Sequence, residues 1–185
     1  MALVSIREIT PSTRLGIWKM DEPFEGSPRE RERKSVEWLL YAMTGSPQLS
    51  IGHEPSGKPF LEASPYTISI SHTRGFAVLL LSEGERVGVD IEYRSDRVER
   101  IAHRFIRPDE EATDTDQKLL IWSAKEAVYK LYSEDNLLFH DMRTCHMADG
   151  LLRMENLKRG IAVDVSYEFT DDYVLTYAVL PAQLA

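Results

Sequence analysis

Two acidic-basic clusters in this 185-residue chain could do chemistry: Gly88-Val-Asp90-Ile-Glu92 and Trp122-Ser-Ala-Lys125-Glu126-Ala-Val-Tyr-Lys130. In the first, Val87, Val89 and Ile91 alternate with Gly88, Asp90 and Glu92. That is the period of a strand, and it puts both carboxylates on one face. The second has helical spacing, with Glu126 and Lys130 one turn apart. Two carboxylates on a strand and a third on a helix could build an oxygen-only site for a hard cation. Magnesium is the natural occupant, because it takes carboxylates and waters and completes its shell with substrate phosphates. Lysines flanking Glu126 would meet those phosphates as point charges. Taken singly, each cluster is more commonly a solvated face. Two segments upstream, Gly57-Lys58-Pro59 and Ile68-Ser69-Ile70-Ser71-His72, shift the balance towards a site.

Elements that could position these groups are legible along the chain. Val4-Ser5-Ile6 alternates as a first strand and Leu15 to Met20 as a second. A helix is expected from Pro28, with Ser27 as N-cap, an apolar stripe of Val36, Leu39, Leu40 and Met43, and Gly45 as its end. Phe60-Leu61 and Thr67 to Ile70 read as short strands and Phe76 to Leu81 as a buried one. Glu83-Gly84-Glu85 is a turn leading into a strand over Val87 to Tyr93. The stretch from Ser71-His72 to Asp90 reads as a hairpin that would bring Ser71 and His72 towards the sheet carrying Asp90. Beyond it, Val98 to Ile106 is expected to be helical, and Pro108-Asp-Glu-Glu to start a short helix with acids in its first turn. The helix of the second cluster is expected over 116–132, with Leu120, Ala124, Ala127, Val128 and Leu131 inward. Ile161 to Phe169 and Tyr173 to Leu180 form a terminal hairpin around Asp171-Asp172. The order of elements implies an α+β fold of two similar halves, residues 1–86 and 87–185.

Composition narrows the function classes. A formal net charge of -8 speaks against a generic nucleic-acid binder, although local basic patches exist. One is Arg29, Arg31, Arg33 and Lys34; the other is Arg94, Arg97, Arg100, Arg104 and Arg107, where Arg100, Arg104 and Arg107 would form one stripe on a helix from Val98. No apolar run approaches a membrane span, and the N-terminus lacks the sections of a signal peptide. The single cysteine, Cys145, rules out an internal disulfide and a cysteine metal site, and it reads as a half-buried strand residue. These absences suit a cytoplasmic protein.

With the four segments in order, Gly57-Lys58-Pro59, Ser71-His72, Gly88 to Glu92 and Trp122 to Lys130, the chain resembles the 4'-phosphopantetheinyl transferases, and within them the monomeric type that activates peptide and polyketide synthetases. The resemblance is carried by residues 57 to 132. It implies a pseudo-dimer of two α+β halves, each an antiparallel sheet packed on helices, with the site between them. It also implies transfer of the phosphopantetheine arm from coenzyme A to a serine of an apo acyl or peptidyl carrier protein. The other product is adenosine 3',5'-bisphosphate. On the family pattern Asp90, Glu92 and Glu126 hold Mg2+, and Lys125 and Lys130 contact the pyrophosphate. Glu126 is also the candidate acceptor of the serine proton, directly or through water, and whether it is ligand, base or both stays open. Lys58, Ser71 and His72 would serve the nucleotide and its 3'-phosphate, with Arg33 a weaker candidate there. Trp122 is expected to pack the helix and touch no ligand.

Two rival functions share parts of this pattern. Another magnesium-dependent phosphate-transfer enzyme would account for the acids and leave Ser71-His72 and Gly57-Lys58-Pro59 unexplained. A silent coenzyme A or carrier-protein binding module would not need all three acids.

Overall fold

A computed structural model describes residues 2–21 and 23–181. Two compact units divide the chain: Met1–Val87 with Leu180–Ala185, and Gly88–Val179. The fold is α+β with antiparallel strand pairs.

In the first unit, β1 (Ala2–Thr10), β2 (Thr13–Lys19), β5 (Tyr66–Thr73) and β6 (Phe76–Glu83) make a sheet in the order β1-β2-β6-β5. Strands β3 (Ile51–His53) and β4 (Pro59–Leu61) form a separate pair. Helix α1 (Pro28–Thr44) begins at a capping box in which Ser27 and Glu30 satisfy each other's backbone amides. It ends at Gly45, whose φ of 67° is the left-handed conformation that closes a helix. Leu39, Leu40 and Met43 bury their side chains with Leu79 and Leu81 of β6. At the sheet's far corner Glu85 Oε2 accepts hydrogen bonds from Thr10 (2.6 Å), Ser12 (2.7 Å) and Thr13 (2.6 Å). These bonds hold the Glu85 carboxyl below the usual carboxylate range.

Strands β5 and β6 are the hairpin anticipated at Ser71-His72, with Ser71 opposite Val78 and His72 opposite Ala77. The expectation that this hairpin extends to Asp90 is corrected. Gly84 turns the chain at φ +87°, and the next strand, β7 (Glu85–Tyr93), enters a different sheet.

That sheet runs β7-β11-β10-β9-β8, built from β8 (Met142–Ala148), β9 (Leu151–Asn156), β10 (Ile161–Phe169) and β11 (Tyr173–Pro181). Cys145 lies on β8 and is exposed, not half-buried as expected. Helix α3 (Thr115–Leu131) starts at Asp114, whose side chain accepts from the Gln117 amide, and buries Leu120, Ala124, Ala127, Val128 and Leu131. The helix expected over 98–106 is two pieces, a 3-10 turn Asp96–Arg100 and the short α2 (Ala102–Phe105), broken at Ile101. The basic stripe drawn on it therefore does not exist as one helix face. Arg107 lies beyond α2, bound to Asp109 and to the His140 carbonyl. No helix forms at Pro108-Asp-Glu-Glu: Pro108-Asp109 is a turn, and the Glu110 side chain is buried and reaches back to the Arg107 amide. Among the described residues no helix is long and apolar enough to cross a membrane.

Candidate active site

Gly88 sets the distance between β7 and α3. A Cβ there would stand 2.1 Å from the Ala127 carbonyl oxygen and 2.9 Å from the Leu131 nitrogen, so any side chain would drive strand and helix apart. This close crossing brings the polar face of α3, with Trp122, Ser123, Glu126 and Lys130 at helical spacing, to Asp90 and Glu92.

Asp90 is buried and fully engaged. Its Oδ2 accepts from the Ser123 hydroxyl at 2.9 Å, and its Oδ1 accepts from Lys130 Nζ at 2.8 Å. Lys130 also donates to the Val89 carbonyl at 2.9 Å. Ser123 shares a second hydrogen bond, 2.9 Å, with Thr176 of β11. Glu92 Oε1 accepts from Trp122 Nε1 at 2.8 Å. The Trp122 ring packs edge-on to Phe105 and against Phe139, with centroids 5.2 Å and 4.9 Å away. Trp122 thus packs the helix, as anticipated, and in addition orients an acid. Ser123 and the Trp122 indole nitrogen are the polar partners that sequence reasoning missed. Both lie inside the cluster that singled out the helix, but only the packing of α3 on β7, which turns them to Asp90 and half-buried Glu92, shows their use.

The three acids are electrostatically coupled. Burial, then the Asp90 charge, pushes the Glu92 carboxyl up to about 7, against the opposing pull of the Trp122 hydrogen bond. Burial and Asp90 also raise Glu126. Glu126 stands on the wall of a cleft of about 480 Å³, whose other walls include Tyr129, Leu137, Phe139 and Met142.

The remaining expected residues fall in three places. Lys125, expected at the pyrophosphate, is completely enclosed: its Nζ donates to the Phe105 carbonyl at 2.6 Å and to Glu110 Oε2 at 2.7 Å. Lys58 is exposed on a tight turn closed by Gly57 N–H to the Glu54 carbonyl, with Gly57 at φ +89°. In β5, Ser71 is buried and His72 is exposed, with His72 Nδ1 3.5 Å from Glu32 Oε1 of α1. Arg33, one residue on, is exposed and 3.8 Å from Glu37.

A magnesium ion fits this donor set in its chemistry. Burial and the Asp90 charge raise the proton affinity of Glu92 and Glu126, and that is the strain a divalent cation relieves. The arrangement is not that of a formed metal centre. Among the described residues no three His, Cys, Asp or Glu side chains stand together as ligands, and the Lys130 ammonium supplies the positive charge at Asp90.

Residues 86–178, half of the chain, match the family model of the 4'-phosphopantetheinyl transferase superfamily. The chain belongs to this superfamily. The matched region runs from within β7 to within β11 and contains every residue of the acid cluster. A comparison with curated proteins returned no match.

Proposed function

We propose that this phosphopantetheinyl transferase moves the 4'-phosphopantetheine arm of coenzyme A onto a serine of an apo acyl or peptidyl carrier protein, as a magnesium-dependent enzyme of the monomeric, synthetase-activating type. The observation that carries the reading is the coupling of Asp90, Glu92 and Glu126 beside Lys130 within the region that matches the superfamily.

In the reaction the serine Oγ forms a bond to the β-phosphorus, and the bond from that phosphorus to the bridging oxygen of the α-phosphate breaks. Adenosine 3',5'-bisphosphate leaves with the bond's electrons. Glu126 is the candidate to take the serine proton, directly or through water, because its place on the cleft wall gives the hydroxyl an approach. Lys130 offers its ammonium to the pyrophosphate oxygens, and Trp122 keeps Glu92 in a fixed orientation. Asp90, Glu92 and Glu126 would hold magnesium, which when bound supplies neutralisation of the charge developing on the leaving group. Lys58, Ser71, His72 and Arg33 are assigned to the nucleotide end of coenzyme A, on the family pattern.

Mass spectrometry of apo carrier proteins incubated with the protein, coenzyme A and magnesium tests this. The expected result is a gain of the arm's mass on at least one carrier, with adenosine 3',5'-bisphosphate released in equal amount. Glu126→Gln should lower the turnover roughly 10²- to 10⁴-fold, the usual contribution of a positioned base. No mass gain on fatty-acid, peptide or polyketide carriers would overturn the assignment.

A further inference from the structure

Lys125 and Glu110 form an enclosed ion pair that no part of the transfer reaction accounts for. Both side chains are 0% exposed. Lys125 Nζ donates to Glu110 Oε2 and to the Phe105 carbonyl. Glu110 in turn accepts the Arg107 backbone amide at 2.8 Å and the Thr144 backbone amide at 2.6 Å. Three segments meet on this pair: helix α3, the connection from Phe105 to Glu110, and the start of β8. A buried pair is costly unless its remaining hydrogen-bonding capacity is met, and here backbone groups on both sides meet it.

The pair also has a path to the acids. The carbonyl that Lys125 holds belongs to Phe105, whose ring meets the edge of Trp122 at 5.2 Å. Trp122 then donates to Glu92. Lys125 precedes Glu126 directly on α3, so fixing its stem also fixes the helical turn that presents Glu126.

We propose that Lys125 is a positioning residue, not a phosphate ligand: clasped to Glu110, it holds Phe105 under Trp122 and thereby sets Glu92 and the Glu126 turn. Lysines 125 and 130 look alike in sequence, yet only Lys130 is left at the acid cluster to meet a phosphate. The kinetic half of this inference rests on the transfer reaction proposed above; the enclosure of Lys125 does not.

Two measurements test it. In the first, the wild-type protein is briefly acetylated under native conditions, with and without coenzyme A, and each lysine is scored by peptide mass spectrometry. Exposed Lys58 and Lys158 should react, and Lys125 should stay unmodified in both samples. Acetylation of native Lys125, with or without protection by coenzyme A, would overturn the clasp. This arm needs no activity, so it decides even if no carrier protein is ever modified.

In the second, Lys125→Met and Glu110→Gln are compared singly and together. Lys125→Met alone strands a buried carboxylate and should melt well below the wild type. The double variant should recover about half or more of that loss, because removing both charges removes the stranded one. Its kcat should fall roughly ten- to hundredfold, the range seen when groups that orient a site are removed. Its KM for coenzyme A should stay within about twofold, since uniform binding is untouched. A raised KM would make Lys125 a ligand after all, and an unchanged kcat would make the pair merely structural. Should the variants fail to fold, the acetylation result decides by itself.

Discussion

Asp90 receives Ser123 and Lys130 while repelling Glu92 and Glu126, and that arrangement has a measurable consequence for pH. Glu92 titrates near 7 in the folded protein, against an ordinary value of 4.5. Between those values the folded state holds a proton that the unfolded chain has released. The stabilisation from the neutral form is complete below about 4.5 and is lost as pH rises towards 7. Melting temperature in the presence of a chelator should therefore fall across that window, and Glu92→Gln should flatten the slope. A wild-type curve that climbs through the same window would show that Glu92 is not held as described. Residue types alone made Asp90, Glu92, Glu126 and Lys130 visible, because carboxylates at strand spacing and a Lys-Glu helix announce themselves. The same reasoning could not separate Lys125 from Lys130. Only packing decides which of two lysines five positions apart is enclosed and which stands at an acid.

Helices and strands with strong local signals were legible in the chain itself. Ser27-Pro28 opening α1 and Gly45 closing it are cap chemistry, and β10 and β11 flank an evident acidic turn. Of strands β8 and β9 only Cys145 was read as a strand residue, without bounds or a partner strand, though a signal existed. Asp149-Gly150 is the favoured two-residue hairpin turn, with Gly150 at φ +75°, and Leu152 and Met154 alternate inward from it. The polar run of β8 hid it. Residues 108–111 failed for another reason: acids in a supposed first turn look like helix-dipole partners, whereas Glu110 is spent on Lys125. The crossing of β7 over α3 has no room for a side chain at Gly88. Gly88→Ala should destabilise the protein by about 1–3 kcal/mol through overpacking, and by separating strand from helix should cut transfer more than the loss of folded protein explains. Denaturant unfolding and turnover measured on the same sample check both. A fully stable, fully active variant would mean that the crossing is wider than described.

Across the whole molecule, a net charge of -8 must be reconciled with an acidic carrier protein as the proposed partner. With the continuous basic stripe gone, Arg104 is the exposed cation that lines the cleft beside Glu126. Arg104→Glu should raise the KM for carrier protein several-fold at low ionic strength and leave the KM for coenzyme A alone. The defect should shrink as salt approaches physiological strength. Equal kinetics for mutant and wild type in low salt would remove Arg104 from the docking face. That β7 does not pair with β6 was not legible, since hydrophobic periodicity does not say which sheet a strand joins. Cys145 is the only thiol, it is exposed, and it follows Thr144, whose amide rests on Glu110. A single maleimide dye therefore labels this protein uniformly without any engineering, and its emission would report on the neighbourhood of β8 as partners bind.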